Sequence, residues 1–412
     1  MNMEKSKKIK TSDLSLIDEV LSRSVDSVFP SKEKLKKELL SGRQMRVYVG
    51  IDPTAPYVHL GHATNFFLLK RLHKLGHKII VLVGDFTAMI GDPSDKNAAR
   101  IRLTKSEVKK NLKTYKEQIG KILNFEDKKN PIEFKFNSRW LSKLTFTDLA
   151  DIASNFTVQQ MIQRDAFERR LRENKPLYVH EFFYPLMQGY DSVALGADIE
   201  IGGTDQTFNM LAGRTLVEKM QEREKFVITT TLLEDPITGE KMMSKSRGTG
   251  IGMNDVPQEM YAKVMRLPDS GLLQCFIDCT ELTKEEIAHI LKNPPRESKM
   301  RLAHEIVKIY HSEKEATKAQ EEFVRVFSNK DIPRILPKVE LAGKETLENI
   351  LIKEGVVSSK SEIRRLVESG GLKDMQTGEK IQDPKIVVSG SLILKIGKKR
   401  FLKIVTRTQK KE

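Results

Sequence analysis

The strongest constraint on this chain is the stretch Val47-Tyr48-Val49-Gly50-Ile51-Asp52-Pro53-Thr54-Ala55-Pro56-Tyr57-Val58-His59-Leu60-Gly61-His62. Its opening residues form an apolar run dense in β-branched side chains, which predicts a short buried strand. Pro53 and Pro56 end strand geometry, because proline donates nothing to a sheet ladder and biases its predecessor away from helix. A helical pattern follows from Ala63 to Leu72, so His59-Leu60-Gly61-His62 falls where a strand gives way to a helix. Backbone N–H groups are unsatisfied at such a point, and the helix dipole favours an anion. Gly61 lets a flat ligand approach the backbone, and two imidazoles can donate to phosphoryl oxygens without adding a permanent charge. A histidine pair at a helix start is often only a cap or a core residue. The strand-turn-helix context favours a nucleoside triphosphate.

Composition narrows the class. At 412 residues the chain exceeds what one core supports, and about two to four domains are expected. Hydrophobic residues at 39% and charged residues at 31% are those of a soluble globular protein. No apolar run approaches bilayer length, and Met1 to Lys10 is charged with no apolar signal core behind it, so no membrane partner and a cytoplasmic location are expected. The two cysteines, Cys275 and Cys279, are too few for a disulfide framework and lack companions for a zinc site. A net charge of +15 points either to a polyanionic partner or to solvated lysine, and clustering decides between them.

Along the chain, residues 11–45 read as amphipathic helices broken at Pro30-Ser31 and Ser41-Gly42. Lys78 to Asp85 is a second buried strand whose unbroken apolar character suits a parallel sheet. Strand, helix, strand at this spacing begins a doubly wound nucleotide-binding sheet. Gly91-Asp92-Pro93-Ser94 lies just past that strand, where ligands bind in such sheets, and Asp92 is a better site candidate than Asp85. Thr104 to about Lys175 reads as mostly helical. Tyr184, Gln188 and Asp191 then stand at i, i+4 and i+7 on one helix face. Three polar groups there need either a polar ligand or an internal network. Asp198 to Ile201 is another strand, closed by Gly202-Gly203, and Asp205 is placed to accept from ribose hydroxyls. Phe226 to Leu233 is the last strand of the sheet. It leads into the basic, glycine-flanked loop Pro236 to Gly248, able to close over a ligand and set lysines against phosphate.

In this order, His59-Leu60-Gly61-His62, Gly202-Gly203-Thr204-Asp205-Gln206 and Met243-Ser244-Lys245-Ser246 resemble the catalytic core of class I aminoacyl-tRNA synthetases. Tyr48, the Ile90 to Ser94 loop and the Tyr184, Gln188, Asp191 face narrow the resemblance to tyrosyl-tRNA synthetases of bacterial type. The resemblance implies that Tyr48 and Asp191 bond the phenolic hydroxyl of tyrosine. It implies that Asp92, Tyr184 and Gln188 hold its α-ammonium and that Gln206 lines its pocket. Gly203 and Asp205 resemble adenosine and ribose contacts; Asp52, Thr54, His59, Gly61 and His62 resemble the surroundings of the ATP phosphates. Lys245 resembles the loop lysine that stabilises the reacting phosphorus. The loop departs from the family at Met242, which stands where a first lysine belongs, with Lys241 one residue earlier. ATP is then a substrate, magnesium is expected with it on charge grounds, no protein metal site is expected, and a homodimer is implied. A catalytically inactive RNA-binding relative and a tryptophanyl enzyme are the alternatives.

Residues 255–330 read as helices: Gln258 to Met265, Glu285 to Lys292 and a long one from Ser298 to Phe327. Two short helices and β segments follow, with Arg364, Arg365, Lys395, Lys398, Lys399, Arg400 and Lys403 concentrated among them. That clustering favours nucleic acid, and the order resembles a small RNA-binding domain shared with a ribosomal protein. The expected organisation is N-terminal helices (1–46) and an α/β, doubly wound parallel-sheet catalytic domain (47–254) with a helical insertion over about 104–180. A helical tRNA-binding domain (255–330), a linker (331–344) and a small α+β RNA-binding domain (345–412) complete it. The expected partners are tyrosine, ATP and the tyrosine tRNA.

Overall fold

The computed structural model describes residues 13–93, 103–243, 249–328, 336–341, 343, 345–388, 390–397 and 400–406. The chain divides between Ala316 and Thr317 into two compact units. In the first, one sheet contains β1 (Val25–Phe29), β2 (Arg46–Ile51), β3 (Lys78–Val83), β4 (Glu133–Phe136), β5 (Ile199–Gly203) and β6 (Phe226–Thr230). Their spatial order is β1-β6-β5-β2-β3-β4. All neighbours are parallel except β1, which runs antiparallel along β6. From β2 the chain winds outward to β3 and β4, then returns to place β5 and β6 on the other side. The reversal falls between β2 and β5, where Val47, Tyr48 and Val49 lie opposite Ile199, Glu200 and Ile201. A crevice opens beyond the carboxyl ends of the strands at such a reversal, and ligands bind there.

The central strands form because their apolar runs are buried on both faces: Val47, Tyr48, Val49 and all of Ile79 to Val83 are buried. The helix Leu60–Lys74 links β2 to β3 and buries Phe66, Phe67, Leu68 and Leu69. The helices Phe183–Leu195 and Thr207–Gln221 pack closely, and glycine permits it. A Cβ on Gly189 would lie 2.9 Å from the Leu216 side chain and 3.3 Å from the Ala212 backbone.

Four expectations need correction. Residues 11–45 contain the strand β1 between the helices Leu14–Val20 and Lys32–Leu40. Its core, Val-Asp-Ser-Val-Phe, is a half-buried edge with an irregular register between Val25 and Ser27, so it lacks the apolar run of an inner strand. The region expected as helical from Thr104 contains β4, another half-buried edge, whose Glu-Phe-Lys-Phe alternates. The last strand stops at Thr230 rather than Leu233. The long helix expected from Ser298 to Phe327 is two, Pro295–Tyr310 and Glu313–Ser328. His311 interrupts it by turning its Nε2 to the Asp255 carbonyl at 2.9 Å, and the Ser312 hydroxyl restarts it by accepting from the Glu315 N–H at 3.2 Å.

Cys275 and Cys279 lie buried on the helix Leu272–Cys279. Burial pushes the Cys275 thiol up to about 12, so it stays protonated. In the second unit the strands Lys338–Leu341, Arg400–Thr406, Ser391–Ile396 and Leu372–Asp374 form a sheet in that spatial order. The helices Leu347–Lys353 and Lys360–Glu368 contribute Leu347, Ile350, Leu351 and Ile363 to a core shared with Leu372, Leu394 and Ile404.

Candidate active site

Beyond β2 the backbone turns at Asp52, whose carbonyl accepts from the Thr54 N–H at 2.8 Å. The helix that follows is capped by His59, whose Nδ1 accepts from the Gly61 N–H at 3.1 Å. A neutral imidazole that accepts at Nδ1 carries its proton on Nε2, so His59 is a donor there. His62 returns the cap: its Nδ1 lies 3.3 Å from the His59 N–H, and the two rings sit 3.9 Å apart. Gly61 is required, since a Cβ would lie 2.9 Å from the His59 ring. The histidines therefore do the ordinary work of a cap. The strand segment after the basic loop returns alongside: the Leu60 N–H donates to the Ile251 carbonyl at 3.0 Å, and the Met253 N–H to Val58 at 2.8 Å. Lys245 itself lies outside the described residues.

At the end of β5, Gly203 leaves a gap. A Cβ there would meet Asp205 and Leu232, each at 2.8 Å. Asp205, expected as a ribose acceptor, pairs with Lys241 at 2.9 Å, and both side chains are partly exposed. The lysine just before the expected first loop lysine thus pairs with the carboxylate at the end of β5.

Deeper in, the helix Phe183–Leu195 carries Tyr184, Gln188 and Asp191 on one face, as their spacing predicted. Each has a protein partner. The Tyr184 hydroxyl donates to Asp52 at 3.0 Å, and Gln188 Nε2 donates to Glu200 at 3.0 Å. Asp191 accepts from Trp140 Nε1 at 2.7 Å and from Asn137 Nδ2 at 3.1 Å. The hydroxyl of Tyr48 pairs with Ser192 at 2.7 Å, next along the chain from Asp191. Asp92 is held by Gln206 at 2.7 Å and by Arg164 at 2.9 Å. The residues expected in one amino-acid pocket fall into three hydrogen-bonded groups: Tyr48 and Gln188 through Ser192 and Glu200, Tyr184 and Asp191 through Asp52, Thr87 and Asn137, and Asp92 with Gln206 and Arg164.

Several members of these groups escape sequence reasoning. Asn137, at the end of β4, donates to both Asp191 and Thr87, and Thr87 donates to Asp52 at 2.7 Å. One chain of hydrogen bonds thus connects the two carboxylates. Arg164 is buried beneath Asp92, its guanidinium over the rings of Phe167 and Phe208. Glu200 and Lys225 form an ion pair with neither side chain more than 2% exposed. Two signals were available: Glu200 interrupts the apolar run of β5, and Lys225 directly precedes that of β6.

Burial shapes the protonation of the pocket. It pushes the Asp191 carboxyl well above the usual carboxylate range, against the lowering effect of the Asn137 and Trp140 donors. It pushes the phenols of Tyr48 and Tyr184 upward, so both remain protonated donors at neutral pH. It pulls the Lys225 ammonium down, and Glu200 opposes that. Among the described residues no group of three or more His, Cys, Asp or Glu side chains is arranged to hold a metal ion.

A crevice at a sheet reversal, a histidine-capped phosphate turn and a polar helix face define a nucleotide-dependent enzyme of the synthetase type. The model for class I tRNA synthetases (W and Y) matches residues 40–328, and the chain belongs to that family. It is 43% identical over 407 residues to the tyrosine–tRNA ligase of Carboxydothermus hydrogenoformans, covering 94% of this chain and 97% of the relative. The tyrosine–tRNA ligase of Thermotoga maritima is 42% identical over 393 residues, covering 93% and 96%. Among solved structures, a C-terminally truncated mitochondrial tyrosyl-tRNA synthetase from Aspergillus nidulans matches with a TM-score of 0.64 at 23% identity. It covers 76% of this chain and 94% of that one, and shows the shared fold.

Proposed function

We propose that this chain activates L-tyrosine with ATP and transfers it to the 3′ end of its tRNA, as a tyrosine–tRNA ligase. The observation that carries the choice of amino acid is the buried Asp191, with Tyr48 beside it, at the closed end of the helix face that begins with Tyr184. A phenolic hydroxyl adds a hydrogen bond at that end beside those from Trp140 and Asn137, and a bare ring makes none there. The near-complete overlap with relatives named tyrosine–tRNA ligase supports the same choice over tryptophan.

In this reading Asp92, Tyr184 and Gln188 take the α-ammonium, and Gln206 holds Asp92 in place. The α-carboxylate is then directed toward the phosphate turn. His59 and His62 donate to the triphosphate, Asp52 and Thr54 shape the turn beneath it, and Asp205 exchanges Lys241 for the ribose. The carboxylate attacks the α-phosphorus and pyrophosphate leaves, so catalysis is positioning plus stabilisation of developing charge. Lys245 supplies part of that stabilisation from the loop. A magnesium ion bound to the phosphates would offset their charge; among the described residues no group of three or more His, Cys, Asp or Glu side chains would hold it.

Residues 47–254 serve as the catalytic domain, 255–330 as a helical tRNA-binding domain and 345–412 as a small RNA-binding domain joined by the linker 331–344. Arg364 and Arg365 stand exposed on the helix Lys360–Glu368, available to phosphates, whereas Arg400 is tied to Glu362 and the Val356 carbonyl. Lys398 and Lys399 lie outside the described residues. A homodimer and a cytoplasmic location complete the proposal. Phe146, Val158, Leu171, Tyr178 and Val179 are large exposed hydrophobics falling within or just beside the helical insertion, the composition of a covered surface. No described helix is long and apolar enough to cross a membrane.

The deciding experiment is pyrophosphate exchange into ATP, driven in turn by tyrosine, tryptophan and phenylalanine. Strong exchange is expected with tyrosine alone, with only a weak signal from phenylalanine. Exchange driven by tryptophan, or by none of the three, would overturn the proposal.

A further inference from the structure

Beneath the amino-acid pocket lies a cluster that the activation chemistry does not use. Glu200 projects from β5 and receives three donors: Gln188 Nε2 at 3.0 Å on one oxygen, and Ser192 Oγ at 3.3 Å together with Lys225 Nζ on the other. Lys225 also donates to the Met210 carbonyl at 3.1 Å. Tyr48, Ser192, Glu200 and Lys225 are each at most 1% exposed. The neighbouring helix is cut away to admit them: a Cβ on Gly213 would lie 2.6 Å from both Lys225 Nζ and Ser192 Oγ. A buried ion pair of this kind is often no more stable than apolar residues of the same volume, so stability alone does not account for it.

A carboxylate facing an ammonium can only accept hydrogen bonds, and that fixes the direction of each neighbour. Gln188 must turn its amide nitrogen to Glu200, which leaves its carbonyl oxygen to face the pocket. Ser192 has one proton. Given to Glu200, it leaves the 2.7 Å contact with Tyr48 to be made by the Tyr48 proton, and the Tyr48 oxygen then faces the pocket with lone pairs. We infer that Glu200, paired with Lys225, is a positioning residue that presents hydrogen-bond acceptors at both ends of the substrate, through Gln188 and through Ser192 and Tyr48. At one end the acceptor meets an ammonium. At the other the Tyr48 oxygen is the acceptor, so the pocket selects a ring substituent by its ability to donate. A phenol has one hydrogen to give that acceptor. An arylamine has two, and a fluorine has none.

The inference rests on the tyrosine-activating reading and is tested through that activity. Exchange kinetics are measured on the full-length protein with tyrosine, 4-aminophenylalanine, 4-fluorophenylalanine and phenylalanine. The wild type is expected to use the amino analogue about tenfold better than phenylalanine, the effect of one neutral hydrogen bond, and to treat the fluoro analogue like phenylalanine. Ser192→Ala keeps the ion pair and cuts the relay to Tyr48. Combining Glu200→Gln with Lys225→Met provides an amide that can donate to Ser192 and reverse the relay. Both are expected to lower the 4-aminophenylalanine to tyrosine ratio of kcat/KM several-fold, with the KM for ATP unchanged. A purely structural cluster would lower both amino acids together. An unchanged ratio in folded variants that still activate tyrosine, or a wild type that does not separate amino from fluoro, overturns the inference. Absence of tyrosine-dependent exchange in the wild type would instead remove the reading beneath it.

Discussion

At the scale of single residues, the choice of tyrosine over phenylalanine should reside in Asp191 and its supports. Asp191→Ala removes the bond to the phenol, which phenylalanine does not make. Tyrosine is expected to lose about 1–3 kcal/mol of binding, while phenylalanine loses little. Trp140→Phe is the finer probe, because it removes only the 2.7 Å donor to Asp191 and preserves an aromatic ring. It should raise the KM for tyrosine by about tenfold and leave that for ATP unchanged, measured by exchange kinetics at saturating partner. The positions on the helix face were legible because a period of 3.6 aligns Tyr184, Gln188 and Asp191 whatever lies opposite. Their partners were not. Asn137 and Trp140 come from a segment about fifty residues earlier, and nothing local in Asn-Ser-Arg-Trp says that an acid will pack against it. Ser192 was equally silent, since a serine beside an aspartate has many ordinary uses.

At the scale of elements, a burial-dependent histidine sits at the start of β3. His77 is fully buried, and its Nδ1 accepts from the Met45 N–H at 3.2 Å just before β2 begins. Burial pulls its imidazole down from the ordinary value of 6.5 to about 4, with the Arg43 charge adding to the effect. The unfolded chain therefore binds a proton at a pH where the folded chain does not. Stability contributed by the neutral ring is present above pH 6.5 and declines as the pH falls toward 4, by up to about 3 kcal/mol. Urea melts from pH 7 to 4.5 should show that decline, and His77→Gln should flatten it. The inner strands were legible because burial on both faces leaves an unbroken apolar run, as in Lys78 to Val83. The edges were not. β1 and β4 mix charged and apolar residues over a few positions, and only a neighbouring strand makes them strands. The break at His311 has the same character, being set by a carbonyl at Asp255 rather than by a proline or glycine.

At the scale of the whole molecule, the division of labour predicts that deleting residues 345–412 leaves tyrosine activation intact and cripples charging of tRNA. The lost exposed arginines should also flatten the salt dependence of tRNA binding, measured by filter retention between 50 and 200 mM salt, about the range over which phosphate contacts weaken most visibly. Association should respond separately. Val179 is 74% exposed, and Val179→Asp is expected to shift the protein from dimer to monomer in sedimentation, with its thermal unfolding little changed. The sheet order has a bearing on biosynthesis too. Among the described residues β1 precedes the other strands in the chain, yet its partner in the sheet is β6, and β6 in turn pairs with β5. While residues 30–225 are being made, β2, β3 and β4 can pair among themselves, but β1 waits with an open edge. Such edges recruit other chains. A nascent chain arrested before Phe226 should therefore be cut within Val25–Phe29 by a dilute protease and bind holdase chaperones. Extending the same chain past Thr230 should protect that strand, so Val25–Phe29 is ordered only once translation has passed β6.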